Sequence, residues 1–222
     1  MGAESVIADL PEAVVRRISV SHMDNNVYLV TAKESGAQVL IDPADDADAI
    51  LALIDEAHDD AAQPTHVDAI VTTHAHHDHI QALAALADRT GATTLAGAAD
   101  AHQIEVATGV PIARRLNNGD QVEVPGLSLE VIGLRGHTAG SISLALDGFG
   151  HPVHLFTGDA LFPGGVGDTQ HDPARFNQLF SDVSHRLFDR FPDSAVVHPG
   201  HGQPTTLGAE RPHLRQWQAR GW

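Results

Sequence analysis

Four apolar runs in this 222-residue chain each end in a short loop that carries histidine or aspartate. Ala69–Thr73 leads into His74-Ala75-His76-His77-Asp78-His79, and Ser128–Leu134 into Gly136-His137-Thr138-Ala139-Gly140-Ser141. Val153–Phe156 leads into Gly158-Asp159, and Ser194–Val197 into Pro199-Gly200-His201-Gly202. Short apolar runs bounded by turn residues are strand candidates, and loops on such a scaffold are where chemistry is usually carried. Laid side by side, the four strands could bring their loops to one edge.

The other elements fit the same picture. Strands are expected at Val14–Val20, Val27–Ala32 and Gln38–Ile41, with a turn at Lys33–Gly36. A helix is expected over about Asp46–His58, where Ile50, Leu53, Ile54 and Ala57 share a face. Another follows over about Ile80–Arg89, opened by the histidine run and stopped by Gly91 before a short strand at Thr93–Ala96. Gln121–Val124, Ser141–Leu146 and Val153–Thr157 are further strands. A helix over about Pro173–Phe191 carries Phe176, Leu179, Phe180, Val183 and Leu187 on one stripe, with proline at its first position. A short polar helix is expected near Trp217. Strands followed by helices, twice over, predict an α/β fold: a four-layer αββα sandwich of two mixed sheets. No linker interrupts residues 1–222, which are read as a single domain.

Composition removes whole classes of function. Thirteen Lys+Arg against 29 Asp+Glu give a formal charge of −16, and no basic run exceeds two residues. Such a field repels phosphate backbones and anionic membranes, so no nucleic acid or membrane partner is expected. There is no cysteine, which excludes disulfides, thiol nucleophiles and iron–sulfur clusters. The N-terminus lacks the basic start and apolar block of a signal peptide, and no apolar run could span a bilayer. A cytoplasmic location is expected, and oligomeric state is left open.

Sixteen histidines are present, and their placement matters more than their number. His74 and His76, two apart on an irregular turn, can project the same way onto one metal. Asp78 and His79 are angled differently and could hold a second ion. Two metals about 3.5–4 Å apart form a familiar hydrolytic arrangement. His137, Asp159 and His201 supply further ligand types from the other loops. His77 alternates with the ligands and should point away; His198 should support the following turn. His22, beside the strand that enters the site, could touch substrate.

The order HxHxDH, GHTxGS, TGD and PGHG resembles the metallo-β-lactamase superfamily, from Asp24-Asn25-Asn26-Val27-Tyr28-Leu29 to the C-terminus. The resemblance implies that His74, His76 and His137 hold one metal and Asp78, His79 and His201 a second, with Asp159 bridging both. Asp42, in Ile41-Asp42-Pro43, would support the site from behind. Two divalent metal ions are implied, with zinc expected and iron or manganese also suited to a His/carboxylate set. The thiolate ligand of many β-lactamases of this fold cannot occur here. Phe162-Pro163-Gly164-Gly165-Val166-Gly167-Asp168-Thr169 and the tail Thr205–Arg211 resemble short bacterial type II glyoxalases (hydroxyacylglutathione hydrolases). The resemblance implies hydrolysis of a small 2-hydroxyacyl thioester by a metal-bridging hydroxide, with Asp78 and Asp159 in the catalytic centre. Two departures bear on the substrate. Ile80-Gln81-Ala82 replaces the family's small glycine pair, and only 21 residues follow His201, so the glutathione-binding helical domain is expected to be missing. Mononuclear-iron persulfide dioxygenases and lactone hydrolases of the same fold are the alternative readings.

Overall fold

The structure, a computed structural model, describes residues 5–147 and 150–221. The first four residues, part of the N-terminus read above for a signal peptide, lie outside it. The N-terminal sheet has seven strands in chain order: β1 (Val6–Asp9), β2 (Ala13–Val20), β3 (Asn25–Ala32), β4 (Ala37–Ile41), β5 (His66–Thr72), β6 (Thr93–Gly97) and β7 (Arg114–Leu116). Pairing is antiparallel from β1 to β4 and parallel from β4 to β7. The C-terminal sheet contains β8 (Gln121–Val124), β9 (Leu127–Gly133), β10 (Ile142–Leu146) and β11 (His154–Gly158). A small hairpin of β12 (Leu161–Phe162) and β13 (Gly165–Val166) follows, and then β14 (Val196–Pro199) and β15 (Thr205–Thr206) complete that sheet in the order 15-14-11-10-9-8. Its β11–β14 pair is parallel and the rest antiparallel, so both sheets are mixed.

Three apolar cores define four layers. Between the sheets pack Tyr28, Val30, Val39, Ile41, Val71, Leu129, Leu144 and Phe156. The outer face of the first sheet, with Val27, Leu29, Leu40 and Ile70, is covered by α1 (Ala47–Glu56), α2 (Leu83–Thr90) and α3 (Ala101–Thr108) through Ile50, Leu53, Leu83, Leu86 and Ile104. The outer face of the second is covered by α4 (Pro173–Val183), together with α5 (Leu207–Glu210) and α6 (Leu214–Arg220), through Leu179, Val183, Leu207 and Trp217. Alternate residues of a strand face opposite sides, so where strands are buried on both faces they run apolar, as in β3 from Val27 to Val30 and in β4 apart from Gln38. A register shift opposite Gln38/Val39 sets Val67 and Ile70 on the helix side and Ala69 and Val71 on the inter-sheet side.

Several local expectations are corrected. The histidine run does not open an α-helix: His77–His79 forms one 3₁₀ turn, and α2 begins only at Leu83. The long helix divides into α4 and a π-helical turn at Ser184–Phe188. β1, α3, β7 and the β12–β13 hairpin fall where no element was expected. No helix among the described residues is long and apolar enough to cross a membrane.

Candidate metal centre

The site lies where β4, β5, β9, β11 and β14 end. β5 delivers His74, His76, Asp78 and His79; the β9–β10 loop delivers His137; β11 delivers Asp159; and β14 delivers His201. All seven residues expected from the sequence meet there. His74, His76, His137 and Asp159 each bring one ligand atom into a group no wider than 4.8 Å, and Asp78, His79 and His201 form a second such group. Asp159 faces both: its Oδ2 is 3.9 Å from His74, 3.6 Å from His137 and 3.4 Å from His201, and its Oδ1 is 3.4 Å from His79. Asp78 Oδ2 lies 3.2 Å from His201 Nε2 and 3.6 Å from His79 Nε2. Asp42, His74 and His79 form a third compact group. The Asp42 carboxylate, however, is engaged behind the site, accepting from the Thr73 amide, the Thr73 hydroxyl and His79 Nδ1. It occupies the supporting position implied for it, with a left-handed backbone (φ 54°) that turns the chain there.

The hydrogen bonds behind the rings fix which nitrogens face inward. His137 Nδ1 donates to the Asp168 carbonyl at 2.7 Å, and His201 Nδ1 to the Met23 carbonyl at 2.8 Å. His79 Nδ1 donates to Asp42 at 2.9 Å. His74 Nδ1 donates to the Thr73 hydroxyl at 3.0 Å, because that hydroxyl's own proton goes to Asp42. Carbonyls and carboxylates only accept, so in each neutral ring the inward nitrogen, Nε2, bears a lone pair. Yet His79 Nε2 and His201 Nε2 are 3.1 Å apart, His74 Nε2 and His76 Nδ1 3.1 Å, and His137 Nε2 and His76 Nδ1 2.9 Å. Between His79 and His201, both fixed with Nε2 inward, lone pairs this close need positive charge between them; His76 Nδ1 can stand against only one of its two neighbours as a donor, leaving the other lone pair unmatched. The buried Asp159 Oδ1 also has no hydrogen-bond partner. Donors about 2.0–2.1 Å from a tetrahedral zinc stand about 3.3 Å from each other, so the spacing and the donor set fit divalent metal.

Protonation preferences agree. Burial works against a charged His79, but Asp42 and Asp159 outweigh it and push the ring up to about 10. His201 is likewise raised, burial being overcome by Asp159. Burial, reinforced by the neighbouring His79, drives His74 well below its ordinary value, and burial also lowers His137. Burial would raise Asp159, but His201 and His79 hold it well below the carboxylate range. Without metal, a proton on His79 supplies positive charge between its ring and that of His201; metal binding would have to displace it.

Three contributors were missed in the sequence. Buried Asn25 donates to Asp78 Oδ2 at 2.9 Å and pairs its backbone with His201. Arg175, in the first turn of α4, donates to the carbonyls of Gly136 and His137 and so clamps the His137 loop. Asp100 is treated below. Only the Asn25-Asn26 pair ahead of an apolar strand gave any hint. His77 is exposed, as its alternation predicts. His22 and Gln81 are exposed too. His198, placed beside the turn, pairs instead with His154 at 2.8 Å between the sheets.

A sandwich of two mixed sheets with a His/Asp centre at one edge is the architecture of metal-site hydrolases, and a model of the metallo-β-lactamase superfamily matches residues 22–201. The chain belongs to that superfamily. It is 37% identical over 181 residues to a hydroxyacylglutathione hydrolase of Anaeromyxobacter dehalogenans (strain 2CP-C), covering 80% of this chain and 61% of that one. Among solved structures, ETHE1 from Myxococcus xanthus shares 30% identity with a TM-score of 0.74, covering 92% of this chain and 84% of that one. TTHA1623, in a di-iron-bound form, shares 30% with a TM-score of 0.67, covering 88% and 96%. The chain spans 61%, 51% and 62% of the length of three curated hydroxyacylglutathione hydrolases it matches.

Proposed function

We propose that the chain is a metal-dependent hydrolase of a small 2-hydroxyacyl thioester, acting in the cytoplasm as one domain. His74, His76 and His137 would hold one divalent ion and Asp78, His79 and His201 a second, with Asp159 between them and zinc the expected metal. The observation that carries this reading is the convergence of inward lone pairs from two histidine groups on a single carboxylate whose Oδ1 is buried without a partner. Two ions in such a site supply Lewis acidity and bring the pKa of bound water down toward 7.

The chain's own residues do the rest. Burial would raise Asp78, but the Asn25 hydrogen bond and His79 lower it, so it stays ionised beside His79 and His201. Asp42 and the carbonyls of Asp168 and Met23 hold the rings in one tautomer, so no reorganisation is needed when substrate arrives. His76, Asp78 and His201 are partly exposed and define the open side, with Phe162 6.4 Å from the His201 ring on one wall. A thiolate leaves without strong general-acid help.

The thioester class is supported by relatives named hydroxyacylglutathione hydrolase at 30–37% identity, while the shared length leaves the thiol carrier to experiment. The test is thiol release from lactoyl thioesters under anaerobic conditions, beside lactone hydrolysis and an oxygen-electrode trace with a persulfide. Thiol release at full rate without oxygen is expected. Oxygen uptake with persulfide and no thiol release would overturn the proposal in favour of a dioxygenase; turnover of lactones alone would favour a lactonase.

A further inference from the structure

Asp100 stands at the N-cap of α3, where an aspartate ordinarily accepts hydrogen bonds from its own helix, yet its side chain caps nothing there. The carboxylate turns instead to the metal centre's loops and is 3% exposed. Oδ2 accepts from the Ala75 amide at 2.9 Å and from the Thr138 hydroxyl at 2.6 Å; Oδ1 accepts from the Gly140 amide at 2.6 Å. Ala75 lies between His74 and His76, and Thr138 follows His137. One side chain therefore ties the loop of the first sheet that carries two histidines to the loop of the second sheet that carries the third. No ion pair to Asp100 is found among the described residues, so its charge is held by these donors alone. The fit is close: a Cβ on Gly140 would fall 2.7 Å from Asp100 Oδ1, which explains glycine at that position.

We infer that Asp100 is a positioning residue for the His74–His76–His137 group, setting the distance between its two loops and placing a buried negative charge behind a cation. The inference rests on the two-metal reading above. It predicts a selective effect. Outer partners of metal ligands typically change affinity by 10- to 100-fold when replaced, and the contacts of Asp100 fall directly beside His74, His76 and His137, whereas Asp78 and His79 lie further along the β5 loop and His201 on a loop Asp100 does not touch.

The experiment is a cobalt(II) titration of metal-free protein, followed by visible absorption and chelator competition, for wild type, Asp100→Asn, and Asp60→Asn as a distant control. Asp60 is nearly buried and pairs with Arg16 of β2, outside the candidate metal groups and the loops that carry them, so its loss reports on stability alone. Wild type should take two equivalents. Asp100→Asn should bind one equivalent as wild type does and the other about 10- to 100-fold more weakly. In a His201→Ala background the remaining equivalent should be the weakened one. Thr138→Val, which removes only the hydroxyl contact, should weaken the same equivalent less and serves if Asp100→Asn does not fold. Two equivalents at wild-type affinity in Asp100→Asn and Thr138→Val overturn this inference alone. Equal weakening of both, or a loss matched by Asp60→Asn, overturns it by assigning Asp100 to general stability. A wild type that binds no cobalt overturns both readings.

Discussion

Asp159 is the residue that faces both histidine groups. Its oxygens lie within 3.4–3.9 Å of four ring nitrogens, whereas each histidine serves one group. Asp159→Ala should therefore lower metal content at both groups and reduce turnover by at least about 100-fold, with far-UV circular dichroism unchanged because Phe156 and Leu155 behind it still fill two cores. Exposed His77→Ala should alter metal content little, and a large loss there would contradict the spacing argument. A second expectation concerns His198, which burial, and then His154, brings down to about 3. The unfolded ring titrates near 6.5, so between these values the unfolded chain binds the extra proton. Stability from a neutral His198 is thus fully present above about pH 6.5 and lost as pH falls toward 3. His198→Phe should make the acid limb of stability against pH shallower by about 1.4 kcal/mol per pH unit, measurable by urea unfolding at pH 6 and pH 4. At this scale the convergence of the seven His/Asp residues was legible because residue types so closely spaced serve no packing purpose. Asn25, Asp100 and Arg175 were not, since their partners are loops distant in sequence and often main-chain groups.

The loop from Gly136 to Ser141 shows how an element places a ligand. Arg175 takes its carbonyls, Asp100 its Gly140 amide and Thr138 hydroxyl, and Ser141 Oγ its Thr138 amide. α4 presents Arg175 because its N-terminus is firmly set: Asp172 caps the Ala174 and Arg175 amides and Pro173 fills the first position. Gly136 has φ 138°, and a Cβ there would fall 2.4 Å from the Arg175 carbonyl oxygen and 2.6 Å from Leu179 Cβ. Gly136→Ala should push the loop off α4, weakening metal at the His137 group while α4 stays folded; one lost equivalent in a metal assay checks it. The strongly periodic helices and the two-face-buried strands were legible in the sequence. α3 was not, because its eight residues bury only Ala101 and Ile104, too few for a clear period. β7 is three residues long with two exposed arginines, and its pairing with β6 is settled by tertiary context.

For the whole molecule, the decisive fact is that the converging His/Asp set is split across the sandwich. Four residues come from the first sheet's β5 loop, and three from the second sheet. Metal held by both parts of that set would staple the sheets, and ligand that binds only the folded state stabilises it by mass action, by about 2.7 kcal/mol at one hundred times Kd. Chelation should lower the melting temperature, and readdition of metal should restore it, in a calorimetric scan. Unchanged melting after verified metal removal would count against the stapling. The four-layer arrangement was legible because strands and helices alternate in two blocks; the order of strands within each sheet was not, since it depends on pairings such as β11 with β14 that skip the whole of α4.

Two of the four acceptors that fix the histidine tautomers are backbone oxygens, those of Asp168 and Met23. A main-chain carbonyl is present whatever residue the gene encodes there. Genetic drift at positions 168 and 23 can therefore proceed without erasing the acceptors, provided the chain keeps its path. Asp42, whose acceptor is a side chain, has no such latitude: a single codon change removes its contacts to Thr73 and His79 together. A saturation library across these three positions should show that asymmetry, permissive at 168 and 23 and intolerant at 42.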